Sequence, residues 1–211
     1  PQEGVKVDPS VVPASFQPYT LGSPNAPVTI TEFADFECPG CANFATITEP
    51  DVRKRLVETG QARFEFYPFP LNIHKNTWDA TLAAACANDQ GKFWEMHDRI
   101  FQAQDQWAGH VTSNPRKVLR PLAQEVGLDM AAYDQCMESE KHRPAIQASY
   151  NHAVASNIGS TPSFIIGGKL YTGSLPYDEI KRIVEEAARN APAAGTATAA
   201  TATAATATPA R

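Results

Sequence analysis

Two cysteines separated by two residues, Cys38 and Cys41 in "DFECPGCANF" (35–44), could do chemistry together. They follow "APVTITEFADF" (26–36), whose β-branched and aromatic residues predict a buried strand, and helical spacing follows them. Cys38 should therefore lie at the start of a helix, where unpaired backbone N–H groups and the helix dipole stabilise a thiolate. The thiolate is the attacking species in disulfide exchange.

Cys41 lies nearly one helical turn after Cys38, so its sulfur can reach back to close or resolve a disulfide. A zinc site needs about four ligands. There is no second CxxC or HxxH pair, and His142 and His152 are isolated in the sequence. A purely structural bridge is disfavoured, because the start of a helix exposes the sulfurs to exchange. The pattern favours a redox couple over a metal site or a structural clip.

The surrounding patterns alternate between strand and helix before they become helical. A helix is expected over 42–60, kinked by Pro50, followed by a strand in "ARFEFYPFPL" (62–71). Residues 77–157 carry almost wholly helical patterns. Strands resume at "SFIIGG" and "KLYTG", which predict a hairpin. A sheet begun before the helical segment is therefore finished after it.

These patterns predict an α/β fold that is discontinuous in sequence. The sheet domain is expected to comprise 21–73 and 157–190, with a helical insertion at 74–156. Residues 1–20 contain several prolines and predict an extended leader. Residues 191–211 are an Ala/Thr tract that offers too little apolar surface to offset the entropy of ordering, which predicts a disordered tail.

Composition excludes some classes of function. With 211 residues, 43 % of them hydrophobic, the chain can bury a substantial core. Its 18 basic and 23 acidic residues are spread along the chain, so no basic face for nucleic acid or anionic lipid is expected. No apolar run is long enough to span a bilayer. The first residue is Pro1 rather than Met, which suggests that a signal peptide or membrane anchor preceded it, as in an extracytoplasmic protein.

Four segments together resemble one family. "ITEFADFECPGC" is similar to the active-site entry of the DsbA-like thiol-disulfide oxidoreductases, which have a thioredoxin-like fold. "CANDQGKFWEMHDRIF" and "GLDMAAYDQCMES" resemble the helical insertion of the group that includes domains partnered with or fused to vitamin K epoxide reductase homologues. "GSTPSFIIGGKLYTGSLPYDEI" resembles their closing segment. The motifs cover about residues 26–188 in the expected order.

The resemblance implies a role for each member of the catalytic set. Cys38 would be the exposed nucleophile and Cys41 its resolving partner. Glu32, six residues before Cys38, would be a buried proton acceptor for Cys41, with a pKa raised by desolvation. An exposed strand residue is the alternative for Glu32.

The resemblance also implies a substrate-binding set. Thr161 and Pro162 match the cis-proline loop, which packs against the cysteines and offers backbone groups to an extended substrate chain. Pro39 and Gly40, between the cysteines, would also contact the substrate. Thr161 resembles the isomerase-type proteins rather than the enterobacterial oxidase, so oxidase and isomerase directions both stay open.

Two departures from the family pattern affect the expected redox properties. Gly40 replaces the histidine that the strongest oxidants of this family carry between their cysteines, and Glu37 adds a negative charge next to Cys38. Both changes should stabilise the Cys38 thiolate less. Because a more stable thiolate favours the reduced protein, we expect a milder oxidant.

The second pair of cysteines, Cys86 and Cys136, lies in predicted helices of the insertion. They could be buried thiols, but related proteins that have both cysteines often join them, so the resemblance implies a structural disulfide. Trp107, next to Gly109 in an expected loop, is a candidate for exposed contact with a substrate or partner.

The resulting hypothesis is an oxidoreductase, periplasmic or on the extracellular face of the membrane, that introduces disulfides into folding secreted proteins. By resemblance, a DsbB-like protein or a vitamin K epoxide reductase homologue in the membrane would reoxidise it. We expect no cofactor, no metal and no nucleic acid partner. We expect the protein to be a monomer. The alternatives are a disulfide isomerase or reductase of the same fold, and a non-enzymatic module that binds copper through both thiolates.

Overall fold

The computed structural model describes residues 4–6 and 16–190 of the chain. Its strands are β1 (Val5–Lys6), β2 (Tyr19–Leu21), β3 (Thr29–Ala34), β4 (Arg63–Pro68), β5 (Ser163–Ile166) and β6 (Lys169–Thr172). In this part of the chain the strands form one sheet in the order β1-β6-β5-β3-β4-β2. The predicted disordered tail, 191–211, lies outside the described residues.

Helices cover the sheet and fill the long interval between β4 and β5. They are α1 (Pro39–Asn43), α2 (Glu49–Val52), α3 (Thr77–Asn88), α4 (Phe93–Gln102), α5 (Gln104–Trp107), α6 (Arg116–Glu125), α7 (Met130–Ser139), α8 (Arg143–Ala155) and α9 (Tyr177–Asn190). Helices α3 to α8 all lie between β4 and β5, which confirms an α/β sheet with a helical insertion. Among the described residues no helix has both the length and the apolar character needed to cross a bilayer.

Strand β3 lies inside the sheet and leads directly to the cysteine pair. It runs parallel to β4, with Thr29 opposite Arg63, and antiparallel to β5, with Ile30 opposite Ile166. Ile30 and Phe33 point to opposite faces of the sheet, and both are fully buried. Because both faces of β3 are covered, its carboxyl end delivers residues 35–38 to an edge of the packed core rather than to open solvent.

The helix that follows the cysteines is interrupted, as Pro50 predicts. π-helical segments Phe44–Thr48 and Arg53–Val57 follow α1 and α2, and Pro50 lies in the first turn of α2, where its missing N–H matters least. Glu49 is buried although it is charged, and Arg53 is half-buried beside it. The interrupted helix therefore places a charged pair inside the core.

Two short edge strands replace part of the predicted leader. Strand β1 pairs with β6, and β2 pairs antiparallel with β4. The sequence did not indicate them, because strands of two or three residues that pair through backbone groups carry no hydrophobic periodicity. Residues 1–3 and 7–15 of the predicted leader lie outside the described residues. The domain boundaries at 21, 74, 157 and 191 stay predictions.

The predicted hairpin is confirmed. Strands β5 and β6 pair antiparallel, with Ile166 opposite Lys169. Gly167 and Gly168 between them have φ values of 58° and 73°, the left-handed conformation that a two-residue hairpin turn of this kind requires.

The expectation that Trp107 is exposed was wrong. Trp107 is fully buried at the end of α5, and its indole N–H donates a 2.8 Å hydrogen bond to the carbonyl of Ile100. Burying an aromatic ring of this size is strongly favourable, and this outweighs the loop that the nearby Gly109 predicted. Trp107 therefore supports the core of the insertion and does not contact substrate.

Helices α3 and α7 are joined by a disulfide between Cys86 and Cys136, whose Cα atoms are 5.8 Å apart. Helix α3 is apolar all round, and Ala83, Ala84 and Cys86 are buried, as befits a helix surrounded by α4, α6 and α7. This is the pairing that the resemblance implies. It links the central helix of the insertion to its outer layer.

Replacing both Cys86 and Cys136 by alanine should lower the free energy of unfolding by about 4 kcal/mol. The two cysteines are 50 residues apart, and releasing a loop of this length returns entropy to the unfolded chain. Urea unfolding of the oxidised proteins measures the difference, and unfolding of both proteins under reducing conditions is the control. Equal stabilities of the two oxidised proteins, or two alkylatable thiols at these positions without reductant, would contradict the prediction.

Candidate active site

Cys38 and Cys41 occupy the junction of β3 and α1, as the sequence predicts. Cys38 is the N-cap residue of α1, with extended backbone angles (φ −73°, ψ 123°), and Pro39 begins the helix. Both cysteines are free thiols, so the structure describes the reduced pair. The thiol of Cys38 donates a 3.3 Å hydrogen bond to the carbonyl of Thr161.

The environment of Cys38 favours its thiolate. A hydrogen bond from the Cys41 side chain is the largest effect on the pKa of Cys38, which falls from its ordinary value of 9.0 to about 6. Burial opposes this fall, while Thr161 and the backbone N–H groups of Cys41 and Gly40 add to it. These N–H groups belong to the first turn of α1, whose unpaired donors are a property of every helix start. Cys38 is only 8 % exposed, so the expectation of an exposed thiol was wrong, but it is the sulfur of the pair whose thiolate is favoured.

The environment of Cys41 favours its neutral thiol. Cys41 is fully buried, and this burial raises its pKa well above the ordinary value. The neighbouring Cys38 and the Glu32 carboxyl raise the pKa of Cys41 further. Two thiols three residues apart thus have opposite protonation preferences, which is what an attacking and a resolving cysteine need.

Glu32 is buried in β3, so the alternative of an exposed strand residue was wrong. Its exposed fraction is 1 %. Burial raises the pKa of Glu32 well above its ordinary value; the Glu49 carboxylate raises it further and Arg53 opposes the rise. A carboxyl with a raised pKa that interacts with Cys41 can exchange a proton with that thiol.

The loop before β5 closes the other side of the pair. The peptide bond between Thr161 and Pro162 is cis. A Cβ atom added to Gly40 would lie 3.2 Å from Cδ of Pro162 and 3.7 Å from Sγ of Cys38. Gly40 therefore lets the loop approach the cysteines closely. With a side chain at this position, Pro162 would have to shift by a few tenths of an ångström.

The segment that leads to Cys38 is held by hydrogen bonds that sequence reasoning missed. The fully buried carboxylate of Asp35 accepts hydrogen bonds from the backbone N–H groups of Glu37 and Leu71, both 2.7 Å. It also accepts one from the hydroxyl of Thr77, and His74 Nδ1 lies 2.8 Å from it. Asp35 therefore ties the end of β3 to the segment that enters the helical insertion.

Glu37 has a different role from the one its charge suggested. Its carboxylate accepts hydrogen bonds of 2.6 Å from the backbone N–H groups of Asn76 and Gly109. Gln104 donates to the carbonyl oxygens of Phe36 and Cys38 from the same side. Glu37 thus anchors the cysteine loop to the insertion. In the sequence, the only signal of this anchoring was the pair of acids that flank Phe36 in "DFEC". The sequence could not identify the partners of the Glu37 carboxylate, because they lie more than 30 residues away.

His74 brings a titratable group close to the pair. A hydrogen bond to Asp35 is the largest effect that raises the pKa of His74; burial opposes it, and the charges of Asp35, Glu37 and Cys38 add to the rise. An imidazolium next to this loop would supply some of the positive charge that Gly40 does not.

Comparison with known proteins assigns the fold and site to a family. A family model described as Thioredoxin matches residues 15–186, most of the chain, so the chain belongs to this family. Its solved structural neighbours include alpha-DsbA1 of Wolbachia pipientis, which is 21 % identical with a TM-score of 0.74 over 83 % of this chain and 92 % of that chain. The fold is the DsbA-like one, as the four sequence motifs imply.

Two curated relatives place the match in longer proteins. The chain is 31 % identical over 174 residues to Na(+)/H(+) antiporter NhaA 3 of Salinispora tropica, covering 82 % of this chain and 25 % of the antiporter. It is 26 % identical over 180 residues to Disulfide bond formation protein D of Bacillus subtilis, covering 79 % and 75 %. The chain thus spans about a quarter of the first relative and three quarters of the second.

Replacing Glu37 by alanine should destabilise the protein by about 2 kcal/mol or more, because two buried N–H groups lose their acceptor. Glu37→Gln retains one acceptor oxygen and should cost less, while the Cys38 titration midpoint should move little in either variant. Urea unfolding and thiolate absorbance measure the two effects, with Glu58→Ala as an exposed control. A large fall of the Cys38 midpoint in Glu37→Gln would contradict this prediction. It would show that the charge of Glu37 disfavours the Cys38 thiolate, as the sequence suggested.

The reduced protein should show a thiolate titration with a midpoint near pH 6, which is absent in Cys38→Ser. Because the pKa of Cys38 in the folded protein lies below its ordinary value, the thiolate stabilises the fold fully above about pH 9 and loses this effect as pH falls through 6. Reduced wild type should therefore gain stability over Cys38→Ser between these values. Ultraviolet absorbance and urea unfolding test both effects. A midpoint near pH 3.5, or none below pH 8, would contradict the expected environment.

Proposed function

We propose that this protein is an extracytoplasmic thiol-disulfide oxidoreductase that introduces disulfides into folding proteins through Cys38 and Cys41. One observation carries the proposal. Cys38, whose pKa is lowered, is hydrogen-bonded to Cys41, whose pKa is raised, and the pair lies beside the Thr161–Pro162 loop. Such a difference within one pair matches the attacking and resolving roles of exchange chemistry. Membership of the thioredoxin family supports it.

The reaction starts from the Cys38–Cys41 disulfide. A substrate thiolate attacks Cys38 Sγ, the bond between the two cysteines breaks, and its electron pair leaves on Cys41. Cys41 then takes a proton from Glu32, because a buried thiolate is unstable there. A second substrate thiolate attacks the substrate sulfur that is bound to Cys38. Cys38 then leaves as its stabilised thiolate. Two electrons have passed from the substrate to the protein, and the substrate holds a new disulfide.

The lowered pKa of Cys38 favours oxidation of substrates, but with moderate strength. A thiolate leaving group with a pKa of about 6 leaves faster than an ordinary thiol. The most oxidising proteins of this kind have values of about 3.5. We therefore propose a milder oxidant than those. The same chemistry run from the reduced pair would make an isomerase, so the direction is decided by the partner that reoxidises Cys38 and Cys41.

Features beside the pair fit a polypeptide substrate. Ile73 is 80 % exposed, and it lies between Leu71 and His74, which Asp35 holds in place. An apolar side chain held in solvent beside His74, on which the charge of Cys38 acts, suits contact with unfolded chains, which expose apolar residues. Pro162, Thr161 and Gly40 would border the backbone of the bound chain. A DsbB-like protein or a vitamin K epoxide reductase homologue in the membrane would accept the electrons.

The oxidised protein should speed the formation of disulfides in reduced ribonuclease. Cys38→Ser and Cys41→Ser should both abolish the activity, because neither can form the Cys38–Cys41 disulfide. With scrambled ribonuclease, whose disulfides Cys38 can attack, Cys41→Ser should accumulate a mixed disulfide because the resolving thiol is missing. The Cys86→Ala/Cys136→Ala variant is the matched cysteine control and should retain the activity below its unfolding temperature. Reactivation of scrambled ribonuclease by the reduced protein, without oxidation of the reduced substrate, would favour an isomerase instead.

A further inference from the structure

A cluster of charged and titratable side chains lies behind the cysteine pair, and the exchange steps above do not use it. It consists of Glu49 in α2, Arg53 in the π-helical segment that follows, and His97 and Asp98 in α4; we call it the acid–histidine cluster. Glu49 is 1 % exposed and His97 is fully buried. Charged groups are rarely buried so deeply unless they have a role or complete pairing.

The pairing of this cluster is incomplete at Glu49, whose charge acts on Glu32. Oε1 of Glu49 accepts a 2.7 Å hydrogen bond from Nε of Arg53, but Oε2 of Glu49 lies 3.8 Å from Nε2 of His97. Within the described residues, these two atoms and Oε2 of Glu32 have no hydrogen-bond partner. A small side-chain rotation would shorten this 3.8 Å distance to that of a hydrogen bond.

Leaving these atoms unpaired is expensive. A buried polar group without a partner costs about 1–3 kcal/mol, and three of them lie in one region. Replacing such groups by apolar ones would be cheaper for stability alone. Unpaired atoms on two acids and a histidine in one region therefore indicate a role other than stability.

On its other side the cluster reaches solvent. Nδ1 of His97 lies 2.8 Å from Oδ1 of Asp98, whose side chain is 40 % exposed. Arg53 donates hydrogen bonds of 3.0 and 2.9 Å to the two carboxylate oxygens of Asp98. His97 thus has Nε2 facing the buried acid, while Nδ1 lies 2.8 Å from the exposed carboxylate and 3.3 Å from Nη2 of Arg53, so Nδ1 either donates to Asp98 or accepts from Arg53. An imidazole can accept a proton at one nitrogen and release one from the other.

Aromatic rings enclose the remaining sides of His97. They belong to Phe36, Phe66, Phe93, Trp94 and Phe101, with ring centroids 4.9 to 5.9 Å from that of the imidazole. The charged and titratable groups that face His97 are therefore Glu49 and Arg53 from the interrupted helix and Asp98 from its own helix, with Glu32 from β3 beyond Glu49. The rings keep water away, so the acids and the histidine offer the polar route between Glu32 and the surface.

We propose that Glu49 and His97 form a proton relay that connects Glu32, beneath Cys41, with Asp98 at the surface. The inference rests on the proposed exchange function. When Cys41 leaves as a thiolate it takes a proton from Glu32, and Glu32 regains one through Glu49 and His97 from solvent at Asp98. When reduced Cys41 must attack, its proton moves along the same groups in the opposite direction. Glu49, His97 and Asp98 act through Glu32, so they are positioning residues rather than catalytic ones.

The experiment isolates the step that needs the proton of Cys41. Protein with glutathione bound to Cys38 as a mixed disulfide is prepared, and the release of glutathione by Cys41 is followed across the pH range in H2O and in D2O. Alkylation of Cys38 by iodoacetamide is measured in parallel, because it does not require proton transfer at Cys41. The ratio of the two rates separates a relay from a general loss of structure.

In His97→Gln we expect glutathione release to slow by about tenfold or more, with a changed pH profile and a larger solvent isotope effect. Alkylation of Cys38 should keep its rate and its midpoint. His152→Gln is the matched control, because His152 is also buried and packs against Phe33 and Tyr67, away from the cluster. It should leave both rates unchanged.

Asp98→Asn and Glu49→Gln keep the inference testable if His97→Gln does not fold. Asp98 is partly exposed, so its amide variant should fold, and it should slow glutathione release without altering alkylation. Unchanged release in the folded variants would overturn the relay, as would an equal slowing of release and alkylation. A wild-type protein that neither releases glutathione nor oxidises ribonuclease would contradict the proposed function itself, which is a distinct result.

Discussion

The contrast in protonation preference between two buried thiols three residues apart is the constraint on which the rest of the structure depends. Cys38 lies at the mouth of α1, within reach of backbone N–H groups, whereas Cys41 points into the core towards Glu32. A hydrogen bond between the two side chains couples these environments, because it lowers the pKa of one thiol and raises that of the other. The surrounding elements either stabilise the thiolate of Cys38 or bury the thiol of Cys41.

The helical insertion is part of this arrangement rather than an addition to the sheet. Asn76, Gln104 and Gly109 bind the segment that carries Cys38, and His97 packs against Phe36 of that segment. Because Glu37 is held by backbone N–H groups of the insertion, its negative charge is satisfied away from the reactive sulfur. A sheet without the insertion would present the same CxxC segment with a less defined position and with a free carboxylate beside it.

Sequence patterns predicted the α/β class, the inserted helices, the hairpin at Gly167 and the place of Cys38 at a helix start, since these depend on local periodicity and turn chemistry. The resemblance added Glu32 and the loop at Pro162. The anchoring role of Glu37 and the burial of Trp107 could not be read in this way, because both depend on contacts between segments that are distant in sequence. Single charged or aromatic residues have no periodicity to indicate which face they occupy.

The same reasoning explains why the acid–histidine cluster escaped the sequence. Glu49 and Arg53, four residues apart, look like an exposed helical ion pair, and His97 lies among aromatic residues typical of a core helix. The interruption of the helix around Pro50 and the packing of α4 bring the three together behind β3. Burying unpaired acids there lowers the stability of the core. A thiol as deeply buried as Cys41 cannot exchange its proton with water directly, so it needs such groups nearby. The cost of burying Glu32 and its neighbours therefore follows from burying Cys41.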